Sequence, residues 1–266
     1  MLGWRRRIGY ISPGSLEIPA YDFYQVAPEG VSLVSLTAPI SDWRNDEYEK
    51  NLEQVEDAAA YLAKRHVHMV IHAGAPPVAS QGRDFMYQLI KRMTDRTGLP
   101  ASTALYSAME ACRWLGGQNL VVVTPFPPET HRNIVTLLEE EGFRIAHEER
   151  MEAAFFTLNE ISERQIYNFV TAALRRGVQA GAQVGYVPCP QWHVFEMIEF
   201  LERDTGLPLV TSDGGDYWYA FHTLGVTDVQ PGHGMLMDRL RGLPTTHNEP
   251  PFRSKNLGER RAEERE

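Results

Sequence analysis

The residue best placed to do chemistry is Cys189, set in the run Tyr186-Val-Pro-Cys-Pro-Gln-Trp192. A short β-branched run precedes it and a helical pattern follows. The sulfur therefore sits at a strand-to-helix turn, where backbone N–H groups and the helix dipole favour negative charge. Such a turn lowers a thiol pKa toward reactivity, whereas burial among apolar groups raises it. The flanking Pro188 and Pro190 stiffen the turn and remove N–H donors, which fits an aimed sulfur and also fits a merely shaped loop. Cys112 is the internal contrast: Leu105, Ala108, Met109, Cys112 and Leu115 form one apolar helix face, which assigns this second thiol to the core.

The elements that must position Cys189 alternate. Ile8 to Ser12, Val31 to Leu36, Val67 to His72, Leu120 to Thr124, Phe143 to His147 and Val184 to Val187 read as strands. Asp46 to Lys64, Asp84 to Arg96, Pro128 to Glu141, Ser162 to Arg175 and Trp192 to Asp204 have helical spacing of apolar residues. This order predicts an α/β protein with mostly parallel sheets, whose ligands bind beyond the carboxyl ends of the strands.

The chain also repeats itself. Val67 to Pro77 aligns with Gln183 to Gln191, which puts Gly74 opposite Cys189. Thr97-Gly-Leu-Pro100 recurs as Thr205-Gly-Leu-Pro208, Thr103 falls opposite Thr211, and Leu115-Gly116 opposite Leu224-Gly225. Ile11-Ser-Pro13 likewise pairs with Val123-Thr-Pro125. Echoes in one order at a similar offset predict two pseudo-symmetric, Rossmann-like half-domains, each a mostly parallel sheet flanked by helices, with the active site in the cleft between them. The expected division is 1–117 plus 225–249 for the first half, 118–224 for the second, and a charged, disordered tail over 250–266.

Further candidates follow from this placement. Gly74 meets a backbone conformation closed to other residues, or leaves space where a second catalytic side chain could stand. His72, two residues earlier, is a candidate second acid/base group or a buried strand residue. Ser12, Thr103, Thr124 and Thr211 end strands on the ligand side, where their hydroxyls form a carboxylate pocket or simply cap turns. Asp213, Asp216, His193 and His233 show no distinguishing pattern and read as solvated surface.

Composition narrows the class. A 266-residue chain that is 43% hydrophobic can bury a substantial core. A formal net charge of −9 argues against binding nucleic-acid phosphates. Two cysteines make no disulfide framework, and no spacing of ligands suggests a metal. No apolar run approaches the ~18 residues of a membrane span, and the start has no signal-peptide pattern, so a cytoplasmic protein without membrane association is expected.

Met69 to Pro77 with Gly74, the Val-Pro-Cys-Pro run around Cys189, Gly206-Leu-Pro-Leu-Val-Thr-Ser212, Tyr217-Trp218 and Pro231-Gly-His-Gly234 together resemble the aspartate/glutamate racemase superfamily, in its arylmalonate decarboxylase and maleate isomerase branch. The likeness runs to about residue 240. In that superfamily racemases and maleate isomerases carry two cysteines, one per half. The decarboxylases resemble this chain in having glycine at the first position and cysteine only at the second. The resemblance implies a cofactor-free decarboxylase of a small malonate-type dicarboxylic acid, in which CO2 loss creates the carbanion or enediolate and Cys189 supplies the proton. It implies a substrate site including Ser12, Pro13, Gly74, Ala75, Pro76, Thr124, Phe126 and Pro190. The decarboxylases' oxyanion hole departs here, because Ala75, Pro76 and Phe126 stand where the family has hydroxyl donors; backbone N–H groups near Ala75 and after Pro190, with Ser12 and Thr124, are the expected replacements. The alternatives are a cis-trans isomerase or racemase pairing Cys189 with His72, and a non-catalytic binder of a small acid. Association into a homo-oligomer is left open.

Overall fold

The computed structural model describes residues 3–244. Two four-stranded parallel sheets carry the fold, and each has its second strand in sequence at one edge, then the first, third and fourth. In the first half, β1 (Arg6–Ser12) lies between β2 (Val31–Thr37) and β3 (Met69–His72), and β3 pairs with β4 (Ala101–Thr103). In the second, β5 (Asn119–Thr124) lies between β6 (Arg144–Arg150) and β7 (Val184–Val187), and β7 pairs with β8 (Leu209–Thr211). All four residues of β3 and all four of β7 are buried, as expected for inner strands of a parallel sheet covered on both faces.

The crossovers are helical. The first half holds α1 (Glu17–Val26), α2 (Asn45–Lys64), α3 (Ala75–Gln81), α4 (Arg83–Thr97) and α5 (Ala104–Trp114). The second holds α6 (Pro128–Glu140), α7 (Glu163–Gln179), α8 (Ile198–Thr205) and α9 (Ser212–Thr223), and α10 (Gly234–Arg241) follows. Two segments differ from the sequence reading. The stretch from Trp192 to Asp204 is not one helix: a 3-10 turn over Pro190–Trp192 ends at His193 in a left-handed conformation (φ 47°), and α8 starts only at Ile198. The strands β4 and β8 have three residues each, too few for a period to show.

The repeat has a structural basis. Gly98 and Gly206 end α4 and α8 in the same left-handed conformation, φ 69° and ψ 12°. Before each, a threonine hydroxyl donates back to its helix, Thr97 to Met93 O at 2.7 Å and Thr205 to Leu201 O at 2.6 Å. After β4 and β8, Thr103 and Thr211 cap the next helix by accepting the N–H of Tyr106 and Gly214. The helices so started, α5 and α9, pack against each other.

Residues 225–249 were expected to accompany the first half. Of these, 225–233 run against it, with Gln230 N donating to Val26 O and Arg5 paired to Asp228, whereas α10 packs on α8, β8 and α9. Residues from 245 on, including the expected tail at 250–266, lie outside the described residues. Among the described residues, no helix is long and apolar enough to cross a membrane.

Candidate active site

The strand ends of both halves open on one cavity of about 370 Å³. Seven of the residues singled out in the sequence line it: Ser12, Pro13, Gly74 and Pro76 from the first half, Phe126, Cys189 and Pro190 from the second. Ala75, Thr124 and His72 do not. Gly74 and Cys189 therefore share the space between the halves, each two residues past a registered strand pair, His72 with Thr103 and Val187 with Thr211.

Cys189 is 2% exposed and caps the 3-10 turn that follows it. Two opposed effects act on its thiol. Burial pushes its pKa up, the N–H groups of Gln191 and Trp192 pull it down, and the Asp213 carboxylate raises it again; the outcome is a thiol pushed up to about 12. The turn geometry does aim donors at the sulfur, yet desolvation wins. Cys189 is thus protonated at neutral pH, an acid rather than a ready nucleophile. Cys112, also free, is buried in the core as the helix face required.

Gly74 has φ 87°, and a Cβ built on it would meet Pro13 Cγ at 2.4 Å. Both facts strain any side chain here: a second cysteine would have to hold a left-handed backbone and displace Pro13.

His72 is fully buried on β3, donates from Nε2 to Asn51 Oδ1 at 2.9 Å, and is driven down to about 4 by desolvation. It ties β3 to α2 and has no access to the cavity, which removes it as the partner base. Of the four hydroxyls of the expected carboxylate pocket, only that of Ser12 lines the cavity. Thr103 and Thr211 spend their hydroxyls on helix caps, Thr124 Oγ1 is bonded to His131 Nδ1 at 2.8 Å, and Ser12 Oγ accepts the N–H of Gly14 at 3.2 Å. Pro76 and Pro77 delete two donors from the first turn of α3.

The cavity is instead mostly apolar. Among the described residues no Lys, Arg or His lines it, and its polar side chains include Ser12, Ser15, Thr37, Asn159 and Gln191, with Glu17 as a carboxylate. One wall is aromatic: Trp43 packs edge-on against Phe126 and Phe155, with ring centroids at 5.0 and 4.7 Å. Phe155 and Phe156 come from a 3-10 segment, Phe155–Glu160, and Phe156 is 72% exposed at the rim. Sequence reasoning named Phe126 but missed Trp43, Phe155 and Phe156. The only signal of the last two was a pair of adjacent aromatics in a stretch without period.

Asp213 and Asp216 are not solvated, as had been expected, but 1% and 0% exposed. Asp213 Oδ1 accepts from Thr211 Oγ1 at 2.7 Å and from the Gly214 N–H at 3.0 Å, while Asp216 Oδ2 accepts from Tyr10 at 3.3 Å. Asp22 joins them from α1, and burial together with Asp213 raises its carboxyl to about 10. A signal for this group did exist. At the same offsets from the capping threonine Thr103, the first half has Leu105 and Ala108. His193 and His233 are partly buried, and His233 Nε2 is bonded to Gln25 O at 3.1 Å.

Duplicated parallel α/β halves that share a cavity with a strand-end thiol on one side are the plan implied by the resemblance to the aspartate/glutamate racemase superfamily. A model of the arylmalonate decarboxylase family matches residues 8–237, and the chain belongs to this family. Arylmalonate decarboxylase of Bordetella bronchiseptica is 23% identical over 243 residues, covering 87% of this chain and 96% of the relative. A liganded two-substitution variant of arylmalonate decarboxylase superposes with a TM-score of 0.82 at 19% identity, over 88% of this chain and 99% of the other. Maleate cis-trans isomerase of Nocardia farcinica, bound to Tris, does so at 0.80 and 19% identity, over 90% and 100%. At these identities the structural likeness establishes the fold and leaves decarboxylation and isomerisation both open. Among the described residues, no group of three His, Cys, Asp or Glu is placed to hold a metal.

Proposed function

We propose that this chain is a cofactor-independent decarboxylase of a malonate-type acid carrying an apolar substituent, with Cys189 as the proton donor. The observation that carries this reading is a single buried thiol, held protonated, across a shared cavity from a glycine that carries no second acid or base. A mostly apolar wall without cationic residues gives a carboxylate little solvation, which favours its departure as neutral CO2. The C–C bond breaks, its electron pair passes into the enediolate of the remaining carboxyl, and the Cys189 S–H protonates the α-carbon. The thiolate left behind regains a proton from solvent, so one proton is consumed per CO2 released.

Isomerisation needs more than this site offers. The superposed relatives include a cysteine-to-serine variant of the Nocardia maleate isomerase with a covalently bound succinylcysteine intermediate, so that protein's sulfur attacks carbon. Here the sulfur carries its proton at neutral pH, and the Gly74 side offers no partner.

The test is a panel of 2-substituted malonates and of unsaturated diacids, incubated in D2O. CO2 release with one deuterium at the α-carbon of the product is expected. Exchange of deuterium into recovered substrate, or cis-trans conversion without CO2, would overturn the decarboxylase reading.

A further inference from the structure

A malonate-type acid enters this cavity as an anion, and among the described residues no cation lines it. Neutral N–H and O–H groups must therefore hold the carboxyl that stays on the product. Of the Ser, Thr, Asn, Gln and Glu side chains that line the cavity, Ser15, Glu17, Thr37 and Asn159 are exposed, whereas Ser12 is buried and Gln191 half-buried. These two come from opposite halves. Ser12 ends β1, next to the Pro13 that crowds Gly74, and Gln191 belongs to the 3-10 turn that Cys189 caps. Other donors of the wall are already spent, Tyr10 on Asp216 Oδ2 at 3.3 Å and Trp43 Nε1 on Ala153 O at 3.2 Å.

Gln191 is loosely held. Its Nε2 donates to Ser15 O at 3.3 Å and to Ser15 Oγ at 3.4 Å. Both bonds are longer than the roughly 2.9–3.0 Å of a well-formed N–H···O contact, and both end on an exposed residue whose acceptors water can serve instead. A carboxylate oxygen offers this N–H more, because a charge-assisted bond is about twice as strong as a neutral one. Ser12 Oγ accepts the Gly14 N–H at 3.2 Å, which leaves its own proton for donation. At the offset of Gln191 from Cys189, the first half has Pro76 after Gly74, so an amide at this position exists only on the side of the thiol.

We propose that Gln191 is a substrate-binding residue: its side-chain amide leaves Ser15 and donates to the carboxyl retained through the reaction, with the Ser12 hydroxyl donating from the opposite half. Pro190 fixes the backbone between Cys189 and Gln191, so thiol and amide ride on one stiff turn. The carboxyl held by the amide is bonded to the α-carbon that the thiol protonates, and holding the one presents the other. As the C–C bond breaks, its electron pair passes onto that carboxyl, so the same N–H and O–H groups bind it more tightly. The proposal rests on the reading of the substrate as a malonate-type acid.

Isothermal titration calorimetry on the full chain tests this without turnover, with phenylacetate and 3-phenylpropionate as acids bearing an apolar group and phenylacetamide as the uncharged comparison. The acids are expected to bind the parent more tightly than the amide does. Gln191→Met, similar in length but without a donor, is expected to weaken the acids about tenfold or more and phenylacetamide less. Ser15→Ala removes an acceptor that competes for the Gln191 N–H, so the acids are expected to bind it as well as the parent or better. Unchanged acid affinity in Gln191→Met overturns the proposal. So does an equal loss for acids and phenylacetamide, an equal weakening in Ser15→Ala, which a mere tie between the halves would give, or no saturable binding of either acid to the parent. If Gln191→Met melts well below the parent, Gln191→Ala is read by the same criteria. The expected pattern with no CO2 from any malonate would leave the role of Gln191 standing and dismiss the decarboxylase reading, whereas CO2 release with acid affinity untouched in Gln191→Met would dismiss this proposal alone.

Discussion

The two halves share a scaffold and part company only where that scaffold meets the cavity. Both have the same strand order, the same left-handed glycine before the last strand and the same capping threonine after it. Beyond β3 and β4 stand Gly74 and Leu105; beyond β7 and β8 stand Cys189 and Asp213. The features kept in both halves are those that backbone geometry restricts to few residue types, a φ near 69° or a hydroxyl over a helix start. The positions at the ends of β3 and β7 answer to the cavity instead, and there one half presents bare backbone at Gly74 and the other the thiol of Cys189.

That contrast can be broken experimentally, most forcefully at the sulfur. Cys189→Ala is expected to lower CO2 release from an accepted malonate by about 10²–10⁴-fold while leaving thermal unfolding near the parent. An intact rate would erase the chemical difference between the halves. Next in size is Gly74→Cys, which attempts to make the halves alike. A side chain at φ 87°, with Pro13 Cγ 2.4 Å from its Cβ, should cost about 1–3 kcal/mol in urea unfolding. Unchanged stability would mean that Pro13 yields freely and that the two strand ends are interchangeable.

The capping threonines sharpen the comparison. Thr103→Ala is expected to cost about 1 kcal/mol, and Thr211→Ala more, because its hydroxyl also serves buried Asp213. Equal costs in denaturant titrations would detach Thr211 from Asp213. The smallest effect at neutral pH concerns His72, whose registered counterpart in the second half is Val187. Burial lowers His72 from 6.5 to about 4, so the unfolded chain takes up the proton first as pH falls. Its contribution is present above pH 6.5 and is lost as pH drops through about 4. His72→Gln should flatten the fall in melting temperature over that window, and an unchanged profile would place the acid sensitivity elsewhere.

Much of the fold was legible because it rests on repeated local rules. The strand runs, four of the five helical patterns and the Thr-Gly-Leu-Pro echo survive in the structure, whereas the stretch from Trp192 to Asp204 is broken before Ile198 and β4 and β8 are too short to carry a period. The site was legible where backbone type and reactive atom coincide, at Gly74 and Cys189. It was opaque where tertiary contacts decide. Nothing in the spacing of Thr124 reveals that His131 takes its hydroxyl, and Asp213 looks like any helix-start acid until Asp22 arrives from α1. The strand-end position of Cys189 set the turn's donors against burial, and only the packed surroundings reveal that desolvation prevails.

One contact between the halves has a mechanical corollary. At the crossing of α5 and α9, a Cβ on Gly215 would come within 3.2 Å of Ala108 Cα, so the two helices touch almost backbone to backbone. One continuous core runs through both sheets around this seam. Domains joined this way do not swing apart as on a hinge, since parting them would expose the seam to water. Traffic into and out of the cavity must then pass its exposed rim, which includes Ser15, Glu17, Phe156 and Asn159, and any wedge placed at Gly215 would be felt at once by its neighbour Asp216.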